Sequence, residues 1–118
     1  MNLKYFELSE FDCPSLPNSG KNMDFDFLHK LEKAREIAGI PFKITSGYRT
    51  AEHNQKVGGV KGSSHLKGVA ADISISNGQQ RYIVLNALIR AGFKRIGVAK
   101  TFIHCDTDAD KNNSVWVY

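Results

Sequence analysis

From Asp24 the apolar positions Phe27, Leu28, Leu31, Ala34, Ile37 and Ala38 recur at helical spacing, and this predicts an α-helix. Asp24 offers a capping carboxylate at its start and Gly39 an end, so a scaffold helix is expected over 24–39, with His29 near its solvent side. The period then changes. Residues 42–45, FKIT, read as a short strand entering the turn SGYRT at 46–50, and Thr50 can cap a short helix running to about Val57. Residues 68–76, GVAADISIS, alternate as a strand, and 79–92 read as an amphipathic helix closed by Gly92. A hairpin is expected from 95–99 and 102–106, with an edge strand from 115–118. Residues 1–22 show neither period and carry CPSLPNSGKN, which predicts an irregular arm packed over the body. The sum is one α+β domain over 1–118: a small, mainly antiparallel sheet flanked by helices.

Composition narrows the partners. At 118 residues with 42% hydrophobic positions, the chain can bury a core without disulfide staples. Cys13 and Cys105 are too few for a disulfide framework and read as free, packed thiols. The net charge of +4 is spread along the chain, which suits an anionic polymer in general. No basic stripe interleaved with aromatics appears, so nucleic acid is not an expected partner. The glycine-rich loop 58–64, GGVKGSS, matches no nucleotide cradle. The first residues contain no apolar core of a secretion signal, and no later run is long enough to anchor in a membrane. A monomer made in the cytoplasm is the expectation.

Candidate chemistry centres on SSHLKGVAAD at 63–72. His65 precedes a strand and Asp72 lies within it, and the small residues Gly68, Ala70 and Ala71 let the backbone turn and pack closely enough for the two side chains to converge. A histidine and an aspartate seven residues apart also occur as an ordinary loop residue and strand residue. His104 adds weight, because it sits inside the apolar strand FIHCD, where a buried imidazole needs a partner or a metal. Alternation puts Phe102, His104 and Asp106 on one face and Ile103 and Cys105 on the other. Imidazole and carboxylate are ordinary zinc ligands, and three of them leave a fourth position open.

The run SGYRTAEHNQKVGG at 46–59, followed by SSHLKGVAAD and then by FIHCD, resembles the zinc D-Ala-D-Ala carboxypeptidases and L-alanyl-D-glutamate endopeptidases, which share a fold with the zinc-binding hedgehog domain. The resemblance runs from about Phe11 to Asp106. It implies a Zn²⁺ held by His65, Asp72 and His104, with Arg49 and Ser63 facing a peptidoglycan stem peptide. An arginine fork suits a substrate carboxylate, although Arg49 tied to the protein's own groups is the bland alternative.

One position departs from the family pattern. Many members carry an acidic general base three residues before the last histidine, where this chain has Thr101. Asp106 is the candidate replacement, as a catalytic base or as the partner that orients His104. His53, in the helix after YRT, is a further candidate contributor. The implied activity is zinc-assisted amide hydrolysis in the bacterial wall, as by a phage or prophage endolysin released by a holin-type route. A zinc-stabilised binding or structural module without activity is the rival reading.

Overall fold

The computed structural model describes residues 2–118. Helix α1, Phe25–Ala38, begins where the Asp24 carboxylate accepts the Phe27 N–H at 2.9 Å and ends at Gly39, whose left-handed backbone lets its N–H reach the Arg35 carbonyl. Thr50 caps α2, Ala51–Lys56, by accepting the His53 N–H at 3.1 Å. Asn77 caps α3, Gly78–Ala91, in the same way through Gln80. Helices α1 and α3 pack together, and Phe93 meets Phe27 edge-on at 5.8 Å.

Five strands form one sheet: β1, Ile44–Ser46; β2, Ala70–Ser74; β3, Arg95–Val98; β4, Phe102–Asp106; and β5, Ser114–Val117. Their order is β1-β2-β4-β3-β5, antiparallel at every pairing except β3 with β5. The parallel pair follows from crowding. Strand β4 already has β2 and β3 on its two edges, so the chain leaving it crosses to the nearer free edge, that of β3. Having reversed once more, it runs alongside β3 in the same direction. The expected edge strand is therefore present, in a mixed sheet.

Strand β1 starts two residues later than the hydrophobic pattern predicts. Phe42 turns inward instead and packs in the core at 6.5 Å from Phe6. The segment before α1 also contributes to the core through Phe6 and Phe11, and it contains two 3-10 turns, Leu8–Phe11 and Ser19–Asn22. Phe11 accepts the Tyr48 N–H at 2.9 Å, and Gly47 lies so close that a Cβ there would stand 2.7 Å from the Phe11 Cα. An aperiodic segment thereby fixes the turn that carries Arg49.

The sheet has two chemically distinct faces. Ala71, Ile73, Ile96, Ile103 and Cys105 point into the core under the helices and are fully buried. The other face carries Asp72 and His104, aligned across β2 and β4. Cys13 and Cys105 are buried free thiols. No helix among the described residues is long and apolar enough to cross a membrane.

Candidate metal centre

His65 sits on a 3-10 turn, Ser64–Lys67, whose start is held by the Ser63 hydroxyl accepting the His65 N–H at 3.3 Å. Gly68 ends the turn at φ +72° and feeds the chain into β2. No side chain fits there, since a Cβ would lie 2.4 Å from the Asn22 carbonyl oxygen. Asp72 follows in β2, directly opposite His104 in β4. The chain reversal expected between His65 and Asp72 is thus made by a 3-10 turn and a left-handed glycine.

Hydrogen bonds fix which nitrogen of each imidazole faces the site. His65 donates from Nδ1 to the Gly47 carbonyl at 2.7 Å, which leaves the Nε2 lone pair aimed at Asp72 Oδ1, 3.4 Å away. His104 donates from Nε2 to Asp106 Oδ2 at 2.7 Å, which turns Nδ1 toward the same Asp72 oxygen at 3.0 Å. The two rings meet edge-on, 5.2 Å between centroids. One ligand atom from each of the three residues falls within 4.8 Å of the other two.

A lone pair and a carboxylate oxygen at these distances repel unless a cation or a proton lies between them. This donor set therefore fits a divalent metal, with two nitrogens, one oxygen and the outward ring N–H groups already engaged. Without the ion, a proton between ring nitrogen and carboxylate takes the same place. Burial pushes the Asp72 carboxyl up, but hydrogen bonds from His104 and His65 outweigh it and hold Asp72 well below the usual carboxylate range. Burial favours neutral His104, yet its bonds to Asp106 and Asp72 raise its pKa above the ordinary histidine value.

Asp106 is nearly inaccessible. Besides His104, it accepts from Arg95 Nε at 2.8 Å and from the Asp108 N–H at 3.1 Å. Its carboxylate lies against the Nε2 edge of the ring, opposite the edge that faces Asp72 and His65. These are the contacts of an orienting partner. Arg49 donates from Nε to Ser46 at 3.2 Å and from Nη1 to Asn54 at 3.1 Å, and its Nη2 stands 3.7 Å from Asp72 Oδ2.

These groups line a cleft of about 430 Å³. His65, Asp72, His104, Arg49, Ser63 and Asp106 all border it, so these six candidates are brought to one place. Thr101 is exposed outside the cleft, its carbonyl accepting the Ile75 N–H, and His53 is likewise not among the lining residues. Sequence reasoning missed Asn54, which is buried beneath the loop after α2 and donates to the Val60 carbonyl at 2.9 Å. It also missed Trp116 in β5 and Tyr118 just after it, which border the cleft. Their alternation with Val115 and Val117 signals a two-faced strand but does not say which face meets the site.

A family model described as Peptidase M15 matches residues 4–106. The chain belongs to the Peptidase M15 family. Peptidase M15 domains are zinc peptidases of the D-Ala-D-Ala carboxypeptidase and endopeptidase type that act on peptidoglycan, and the resemblance carried by the three motifs agrees with this match. No curated protein matches the chain. The matched range includes all three donors of this Peptidase M15 chain and stops at Asp106, leaving 107–118 outside it.

Proposed function

We propose that this Peptidase M15 domain is a zinc-dependent peptidase that hydrolyses an amide bond in the stem peptides of peptidoglycan. The observation that carries the proposal is the convergence of His65 Nε2, Asp72 and His104 Nδ1, with the opposite ring nitrogens already committed to Gly47 and Asp106. Those three residues would hold the ion. When bound, zinc supplies Lewis acidity that polarises a carbonyl oxygen and acidifies water.

The chain's own residues supply the rest. Asp106, anchored by Arg95 and the Asp108 N–H, keeps the His104 proton on Nε2 and Nδ1 free to ligate. Arg49 is held by Ser46 and Asn54 with Nη2 unbonded by any neutral partner, so its cationic edge can accept a substrate carboxylate by charge-assisted hydrogen bonds. Ser63 presents a buried hydroxyl beside His65 to orient a peptide group.

A second reading is a metal-stabilised binding module without turnover. It is favoured by one observation: the carboxylates lining the cleft are Asp72 and Asp106, both engaged, while Thr101 stands where an acidic base is usual. One experiment separates the two. Zinc-loaded protein is incubated with purified wall fragments, with and without chelator, and new amino groups are counted. Chelator-sensitive release supports hydrolysis, and tight wall binding with no release supports the module. Comparison of peptides ending in D-Ala-D-Ala with peptides containing L-Ala-D-Glu assigns the type of bond. Clearing of suspended whole walls tests the lytic, endolysin-like role that belongs to the same proposal.

A further inference from the structure

On the sheet face opposite the core, the pairing registers place Asp72 beside His104, His104 beside Gly97, and Gly97 beside Trp116. The row starts at two donors of the metal centre and ends at an indole on the edge strand. Gly97 makes the connection. A Cβ at that position would fall 2.6 Å from Cε2 and Nε1 of Trp116, so the indole occupies the space that any other residue would need. Drawn inward over the glycine, the ring stands 5.4 Å from the His104 ring, centroid to centroid.

Its other neighbours hold it there. The Arg95 guanidinium, bonded to Asp106, lies 4.9 Å from the indole centroid, and Tyr118 meets it edge-on at 6.3 Å. Tyr118 in turn packs against Phe102 at 5.0 Å. Phe102 and Trp116 line the cleft half-buried and Tyr118 lines it at an exposed rim, while Val115 and Val117 alternate with the β5 aromatics on the other face and are exposed. The core is on the opposite face of the sheet, so burial in the core does not explain why the aromatic residues point this way.

We propose that Trp116, with Tyr118 beside it, is the subsite that receives the alkyl side chain of a residue flanking the scissile amide, an alanyl methyl in a stem peptide. The subsite thereby sets a preference for alanine over glycine. The inference rests on the peptidase reading. Because the indole adjoins His104, a group that touches it while the amide lies at the donor set belongs to a residue bonded to that amide. An aromatic surface accepts C–H groups by contact and makes no demand for a hydrogen bond, which suits a methyl.

Trp116 is the chain's single tryptophan, so its emission reports on this wall alone. The zinc-loaded protein is titrated with D-alanyl-D-alanine, with L-alanyl-D-glutamate and with glycylglycine, following indole fluorescence and, in parallel, heat. The expected result is an emission change with the alanine peptides. At least one of them should bind about fourfold more tightly than glycylglycine, the factor equivalent to burying one methyl-sized group. Calorimetric binding with unchanged emission overturns the proposal, as does equal affinity for all three.

Two variants provide a second arm. Trp116→Ala removes the wall and Gly97→Ala displaces it, and each should erase the alanine-to-glycine ratio in kcat/KM or Kd while bound zinc stays the same. A ratio kept in both overturns the proposal. If Trp116→Ala does not fold, Trp116→Leu takes its place with the same criterion. Co²⁺ in place of Zn²⁺ tells the two readings apart, since an ion at the donor set quenches an indole this close. Failure to bind metal counts against the peptidase reading, and the peptide titration on metal-free protein still tests the wall.

Discussion

Replacing Asp106 by Asn leaves the shape of the side chain and changes which atoms can accept. In the native protein one oxygen accepts from His104 Nε2 at 2.7 Å, and the other accepts from Arg95 Nε at 2.8 Å and the Asp108 N–H at 3.1 Å. Asn has one acceptor. If its oxygen stays with Arg95 and Asp108, its NH₂ faces His104 and requires Nε2 to be unprotonated, which moves the ring proton to Nδ1, the nitrogen needed for the metal. If the amide flips, two donors face the NH₂ in a site that is 1% exposed. Either outcome weakens metal binding, and loss of such a partner typically costs 10- to 100-fold, or about 1.4 to 2.7 kcal/mol. Competition with a chromogenic chelator at fixed pH measures the change, and ¹⁵N NMR of His104 reads the tautomer. Added zinc should restore part of the activity. Zinc affinity within about twofold of the native value would refute the tautomer reasoning, and if turnover were abolished at the same time, Asp106 would be the general base.

Arg49→Lys keeps the charge but cannot hold Ser46, Asn54 and a substrate carboxylate together, so kcat/KM on peptides with a free carboxylate should fall about 10- to 100-fold with zinc content unchanged. Unfolding of this variant would instead make Arg49 structural. Asp108 accepts from Ser64 at 2.8 Å and from Lys67 at 2.9 Å; burial opposes its charge, but these partners hold its carboxyl well below the usual range. Its contribution to stability is therefore present above about pH 4 and lost as pH falls through the depressed pKa. Asp108→Asn should cost about 1 to 3 kcal/mol at pH 7 in denaturant titrations, and the gap from native protein should narrow in acid. Gly68→Ala forces a Cβ into a left-handed residue and against the Asn22 carbonyl, so a loss of at least about 1 to 2 kcal/mol is expected from thermal unfolding.

Features that depend on local chemistry were legible in the sequence. The caps Asp24 and Thr50 and the terminal glycines Gly39 and Gly92 mark helix ends through bonds made within a few residues, and they act there as expected. His104 stood out because an imidazole in an apolar strand needs partners, and it has them in Asp72 and Asp106. Alternation put His104 and Asp106 on one face but could not say which ring nitrogen meets which carboxylate, since that depends on the β2–β4 register. Trp116 escaped notice for a similar reason. Its approach to His104 depends on a parallel pairing of β5 with β3 and on the empty side of Gly97, 19 residues earlier, and neither leaves a local mark. Phe42 read as the start of a strand because an apolar residue before an alternating run looks alike whether it enters the sheet or the core.

The central claim, that His65, Asp72 and His104 form one metal centre, is tested most directly by zinc stoichiometry. Equilibrium dialysis followed by elemental analysis should give one zinc per chain for the native protein and a near-complete loss for His104→Ala, with the fold of the variant checked by circular dichroism. Undiminished zinc in folded His104→Ala, or none in the native protein after loading, would contradict it.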